Sequence, residues 1–216
     1  MNALMTQIRA LLPAIMTQTS WDQAADEDRF EGYVFALVLE AARKEEATVR
    51  LENRNGPFNG TATFRTSPGH LWSDLHPYTH AVIGFANKPR LEAHVGVYVS
   101  GQSRLYHEAD VAVLSRAVAR TCRADRIDPP QNKAVLLFEC KYYAGDPGVG
   151  LGREFLGTEC GKDECVFVTN QRASRLQKLF EAHKREWGHQ VLPGNNHDVD
   201  RLVGFAQRAF ARYKAK

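Results

Sequence analysis

The sequence is short of the features that would fix a role at once. Its four cysteines, Cys122, Cys140, Cys160 and Cys165, contain no CxxC pair. Neither a thioredoxin-type redox motif nor a ribbon-type zinc site is therefore spelled out. Cys160 and Cys165 make at most a loose zinc half-site with His183 or His189. Free thiols in a reducing compartment are the simpler expectation. No stretch is apolar enough to span a bilayer. The N-terminal MNALMTQIRALLPAIMTQ carries Arg9 and is interrupted by Pro13, so it lacks the layout of a signal peptide, and a cytoplasmic location is expected. There is no excess of one charge. The 28 basic and 25 acidic residues leave a net charge of +3, which permits a polyanionic partner without requiring one. The glycines of GVGLGRE, Gly148 to Glu154, fit neither GxGxxG nor the lysine-serine ending of a P-loop. Internal repeats and low-complexity segments are missing too.

What remains is an ordinary globular composition. With 216 residues, 44% hydrophobic and 25% charged, the chain is expected to form one domain over residues 1–216 with a substantial core. A short N-terminal helix is followed by an acidic helix start, with Ser20 or Asp22 as candidate caps. The next helix runs through FEGYVFALVLEAARKEE, where Phe30, Tyr33, Val34, Leu37, Val38 and Ala41 keep helical spacing. Phe35, Ala36 and Leu39 make its other side apolar, so it is expected to be buried on most sides. Residues 53–80 are rich in Gly, Pro, Asn, Ser and His and read as loops around a short strand, TATFRT.

THAVIGFA, LEAHVGVYV and LYHEADVAVL then read as strands, the last two joined by a turn at SGQSR. SRAVARTCRADRI reads as a helix. KAVLLFECKYY is a strand apolar on both faces, as in a sheet covered on both sides. A glycine-rich loop leads into a short helix, and CVFVTNQ is another buried strand. ASRLQKLFEAHKREW is an amphipathic helix, HQVLP a short strand, and VDRLVGFAQRAFARYKAK the last helix. This order predicts an α/β domain with a central mixed sheet and helices on both faces.

Polar residues in two of these strands stand out. Glu139 and Lys141 end the apolar run VLLFECK, and Asp110 lies inside YHEADVAVL. By strict alternation Glu108, Asp110, Ala112 and Leu114 share one strand face, and Val135, Leu137, Glu139 and Lys141 share another. If the strands are neighbours in register, two carboxylates and an ammonium meet at one point. Carboxylates suit a hard cation such as Mg2+. An ammonium beside it can stabilise negative charge or orient a water, as metal-assisted phosphodiester cleavage requires. The competing reading of Glu139 and Lys141 is an ion pair at a strand end.

Asp110, 28 intervening residues and then Glu139-Cys140-Lys141 resemble the PD-(D/E)xK nuclease superfamily, the restriction-endonuclease-like fold. The resemblance spans about residues 30–171. Glu-x-Lys occurs once in the chain and Asp-x-Lys not at all, while Ala109 stands where a proline often precedes the aspartate. The resemblance implies a Mg2+-dependent nuclease, with Mn2+ able to substitute, acting on nucleic acid and on DNA above all. It implies metal ligation by Asp110, Glu139 and the backbone carbonyl of Cys140, and a water-positioning role for Lys141. It further implies an assisting glutamate on the first core helix, Glu31 or secondly Glu40, and contacts to water or phosphate from Arg153 and Gln171. Glu31 is also accounted for by the helix dipole alone.

The last helix carries Arg201, Arg208, Arg212, Lys214 and Lys216, with no acid from Arg201 onward. Arg208 and Arg212 are candidates for phosphate-backbone contact, although a solvated basic face explains them equally. His94 and His107 are expected to be packed or hydrogen-bonded. Trp72, Tyr78, Tyr106, Tyr142 and Tyr143 are expected to serve packing rather than base stacking. Cutting both strands of a duplex would favour a homodimer. The rival reading is a non-catalytic nucleic-acid-binding or protein-interaction module on the same fold.

Overall fold

The computed structural model describes residues 3–12, 24–58, 60, 62–101, 103, 105–158, 161 and 164–216. The candidate caps Ser20 and Asp22, and Cys160, lie outside them. Helix α1 (Ala3–Leu11) and the long helix α2 (Asp26–Lys44) precede the sheet. Three acids, Asp26, Glu27 and Asp28, occupy the first turn of α2, where the helix dipole favours negative charge. The Ala25 backbone N–H donates to the Asp28 carboxylate at 3.3 Å. Phe30 and every residue from Tyr33 to Leu39 are buried, as the apolar pattern on both sides of this helix predicts.

Among the described residues eight strands follow: β1 (Thr48–Asn53), β2 (Gly56–Pro57), β3 (Thr79–Gly84), β4 (Leu91–Ser100), β5 (Tyr106–Ser115), β6 (Ala134–Lys141), β7 (Cys165–Thr169) and β8 (Glu186–Gly188). They form one sheet in the order β2-β1-β3-β4-β5-β6-β7-β8. Neighbours are antiparallel as far as β6, and β6, β7 and β8 run parallel. The remaining helices are α3 (Arg116–Asp125), α4 (Val149–Gly157), α5 (Ser174–Ala182) and α6 (Asn196–Ala215). The mixed sheet has an apolar core on each face, as expected. Helices α1, α2 and α6 cover Ala93, Val111, Leu136 and Phe138. Residues of α3, α4 and α5 cover Ala112, Leu114, Leu137 and Phe167 on the other side.

Three expectations of secondary structure are corrected. Residues 62–66 of TATFRT form no strand. Arg65 is buried there and donates to the carbonyls of Gly69, Gly96 and His70, and the Thr79 N–H donates to the Thr63 carbonyl at 2.6 Å, so this segment is held by one side chain and a local contact rather than by a continuous ladder. Strand β2 stands where a loop was expected, and β1 fills the stretch between the expected helix end at Glu46 and the loops expected from residue 53. Glu46 has a left-handed φ of 66°, which ends α2. Beyond it Leu51 turns to the core while Arg50 and Glu52 line the opposite face. The third correction is at HQVLP. The last strand is Glu186–Gly188, and Gln190, at φ 50°, interrupts any extension through HQVLP. Cys122 and Cys140 are free and buried, but Cys165 is disulfide-bonded, against the expectation of free thiols throughout. Among the described residues no helix is long and apolar enough to cross a membrane.

Candidate active site

Strands β5 and β6 are antiparallel neighbours, paired Leu114 with Ala134, Val113 with Leu136, Ala112 with Leu137 and Val111 with Phe138. The ladder stops there. Continued, it would join Asp110 to Glu139. Instead the Cys140 backbone N–H donates to Asp110 Oδ2 at 2.5 Å. A carboxylate thus takes the place of the next ladder carbonyl just where the two strands part.

The strand alternation expected around Asp110 does not hold. Ala109 and Ala112 both face the α4–α5 side, while Val111 and Val113 face α2. Two alanines three positions apart cannot share a face of a regular strand. The cause lies opposite, in β4. Gly96 adopts a left-handed φ of 59°, and the pairing of β4 with β5 omits the Gly96–Asp110 position. Across Gly96, Val95 faces α2 while Val97 faces the other core. A residue other than glycine is disfavoured in this conformation. The kink turns the outer half of the β4–β5 hairpin over and brings Glu108 toward the N-terminal end of α2, where it feels the charges of Lys141, Glu139 and Asp28.

Lys141 Nζ lies 2.5 Å from Glu139 Oε1 and 3.9 Å from Asp110 Oδ2. Asp110 is 3% exposed, and burial, followed by the charge of Glu139, pushes its pKa up to about 7. Glu31 sits near the start of α2. Burial, then the charges of Asp110 and Glu108, push it up to about 9. Burial opposes the Lys141 ammonium, but Asp110 and Glu139 outweigh that effect and hold its pKa above the ordinary range. The site therefore has more buried acid than its one lysine neutralises, and a cation would relieve the repulsion.

Asp110, Glu139 and Lys141 are brought together, with Glu31 behind them. Glu40 is not; it lies nine residues further along α2, 3.9 Å from Arg43. The Cys140 side chain packs in the α2-side core, so its carbonyl alone is left to take part. Gln171 donates to the Tyr143 carbonyl at 2.7 Å, which occupies its amide in holding the chain just past Lys141. Arg153 is exposed on α4. Arg208 is exposed on α6, over the Phe205 ring. Arg212 lines a cleft with Lys133, Ala134 and Lys216 at the opposite end of β6 from Lys141. His107, Gln131 and Thr158 line a cavity of about 30 Å³ against Glu139, room for water but not for a base. Glu108 is the site residue that sequence reasoning missed. Its signal is weak: an acid two positions before Asp110.

Among the described residues no three His, Cys, Asp or Glu side chains form a ready-made metal-ligand group. Mg2+ does not need one, since it is commonly held by one or two carboxylates with waters and phosphate oxygens. Asp110, Glu139 and the Cys140 carbonyl are a donor set of that chemistry.

His94 is packed, as expected. It belongs to a second polar group on the α3-side face of β1, β3 and β4. His94 is fully buried and its Nε2 stands 3.3 Å from Glu92 Oε2. Its ring stacks on His80 at 5.1 Å. Arg123 of α3 pairs with Glu92, and Arg116 reaches both Glu52, at 2.8 Å, and Glu92, at 3.4 Å. Burial, then the neighbouring His94, pushes His80 down to about 3. This group braces the sheet and lies on the opposite face from α2.

Comparison with known proteins gives no match, whether to family models, to curated proteins or to solved structures.

Proposed function

We propose that this chain is a divalent-metal-dependent nuclease that hydrolyses phosphodiester bonds, with DNA as the substrate expected from the motif. The observation that carries the reading is the meeting of Asp110, Glu139 and Lys141 at the point where β5 and β6 part, backed by Glu31. Such an excess of buried acid around one lysine is a poor way to stabilise a fold. It is a good way to hold a cation and a phosphate. Asp110, Glu139 and the Cys140 carbonyl would hold Mg2+ or Mn2+, which when bound polarises a scissile phosphate and lowers the pKa of its water. The Lys141 ammonium stays protonated. It acts as a charge sink for the phosphate and as a donor that orients a water. The Cys140 N–H fixes the Asp110 rotamer, and Glu31 retains a proton that an approaching cation releases.

The test is cleavage of plasmid and labelled oligonucleotide DNA and RNA with Mg2+ or Mn2+, by wild type and by Asp110→Asn, Glu139→Gln and Lys141→Ala. Cutting that needs the metal and is lost in all three upholds the reading. Equal cutting by wild type and variants sinks it. Binding without any cleavage would favour a non-catalytic nucleic-acid-binding module.

A further inference from the structure

The β4–β5 hairpin beyond Gly96 carries a cluster of rings on the same side as Glu108. Tyr98 pairs in register with Glu108, and Tyr106 with Ser100. Val97, Val99 and Ala109 take the core side, so Tyr98, Tyr106 and Glu108 point away from that core. The His70 ring stacks on Trp72 at 4.7 Å with an interplanar angle of 17°. It also meets Tyr98 at 5.1 Å and Tyr106 at 6.2 Å. We infer that these rings are a stacking platform for unpaired bases, and that the substrate is a single-stranded nucleic acid. This rests on the nuclease reading above.

His70 and the loop that carries it are braced by hydrogen bonds. His70 Nδ1 lies 2.9 Å from both Asp128 carboxylate oxygens. Arg65 holds the His70 carbonyl at 2.8 Å, and Arg54 holds that of Trp72 at 3.3 Å. The loop itself docks on β4 just past the kink, Gly69 N–H donating to the Gly96 carbonyl at 3.0 Å and Tyr98 N–H to the Gly69 carbonyl at 3.2 Å. Among the described residues the cluster is open at Tyr106, which is 63% exposed, while His70, Trp72 and Tyr98 are half-buried. Rigid and exposed is the condition in which an aromatic face is free to receive a base.

The platform is continuous with the candidate active site. From Tyr106 to Asp110 is four residues of strand, about 13 Å. Tyr143, 37% exposed, stands two positions past Lys141, just beyond the end of β6. Exposed rings thus lie beyond the carboxylates at one end of the sheet, Tyr106 on β5 and Tyr143 just past the end of β6. Glu108 and Asp128 border the rings, and their charge disfavours phosphates there. The rings consequently meet bases, with the backbone running past toward Lys141. In a duplex each base face is already occupied by its neighbour, so this surface selects strands that are open.

The test is binding, read by fluorescence anisotropy with chelator present, of a labelled 20-mer and of the same sequence as a duplex. Wild type is expected to bind the single strand at least tenfold more tightly. Tyr106→Ala should weaken that binding about tenfold and leave the duplex unchanged. Tyr106→Phe should bind like wild type. Trp72→Ala could loosen the loop, whereas Tyr106 is exposed enough to be replaced without disturbing the fold. Equal affinity for the two forms, no binding to either, or an unaffected Tyr106→Ala overturns the platform. Selective single-strand binding without cleavage in Mg2+ or Mn2+ would instead uphold the platform and remove the nuclease reading.

Discussion

Asp110 and Cys140 are joined by a hydrogen bond in which a side-chain carboxylate stands in for a strand carbonyl, Cys140 N to Asp110 Oδ2 at 2.5 Å. This contact fixes the buried acid relative to the residues on either side of Cys140, the two that complete the motif. Because it uses the backbone of Cys140, it constrains position 110 and is indifferent to the side chain at 140.

The raised carboxylates make a pH prediction. Asp110 and Glu31, raised to about 7 and about 9, hold protons in the fold that they release on unfolding. Their contribution to stability is therefore present at low pH and is lost as pH rises from the ordinary carboxylate range toward 9. Glu31→Gln should raise the thermal midpoint at pH 8 by roughly 2–4 °C and leave it nearly unchanged at pH 5. An equal shift at both pH values contradicts the assignment.

A cation that binds the ionised site should reverse this loss. At pH 8, Mn2+ at a hundredfold excess over its Kd should stabilise the protein by about 2.7 kcal/mol. At pH 5, where protons compete, the gain should be much smaller. Scanning calorimetry of Asp110→Asn should show no gain at either pH; an undiminished one would place the ion elsewhere.

Lys141→Met should separate chemistry from binding. The variant keeps Asp110, Glu139 and the Cys140 carbonyl, so Mn2+ affinity should be retained or improved as a positive charge leaves. The cleavage rate should fall by about a hundredfold or more. Titration calorimetry beside a cleavage assay reads both. Loss of metal binding in this variant would show that the lysine holds the site together rather than acting on substrate.

Gly96→Ala should damage the site from a distance. The left-handed φ of 59° penalises any Cβ, and this one would stand 3.3 Å from Arg65 Cβ. The expected destabilisation is about 1–2 kcal/mol. Relief of the strain by straightening β4 would turn Glu108 and Tyr98 away from the site. Cleavage measured well below the unfolding midpoint should therefore drop as well. A variant that is less stable but cuts at the wild-type rate would show that the kink does not position the site.

Much of this architecture is legible in the residues. The 3.6 period of Phe30 to Ala41 and the apolar run of β6 identify themselves, and a Glu-x-Lys at the end of such a run is anomalous enough to draw the eye. Other elements have no such mark. Strand β1 lies between α2 and a loop-rich stretch, and TVRLE is too short to declare itself; the left-handed Glu46 marks the boundary. Strand β8 is three residues long and exists because β7 offers it an edge. Counting alternate positions back from Leu114 assigns Asp110 to the Ala112 face, because the break is made by a glycine on the neighbouring strand. The same break hides Glu108 and the ring cluster. Each depends on which way a strand faces after a kink that a single glycine in LEAHVGVYV does not announce.

The polar face under α3 bears on how the strands find their partners. In the observed register Glu52, His80, Glu92 and His94 gather beside Arg116 and Arg123. A β4 slipped by a single residue would carry Glu92 and His94 into the apolar layer beneath α2 and set Ala93 against a guanidinium. An apolar face tolerates such errors far better, since one aliphatic side chain substitutes passably for another. The charged face thus disfavours a slipped register of the folded sheet. It lets the long β4–β5 hairpin, on whose exact alignment Asp110 depends, settle in a single alignment.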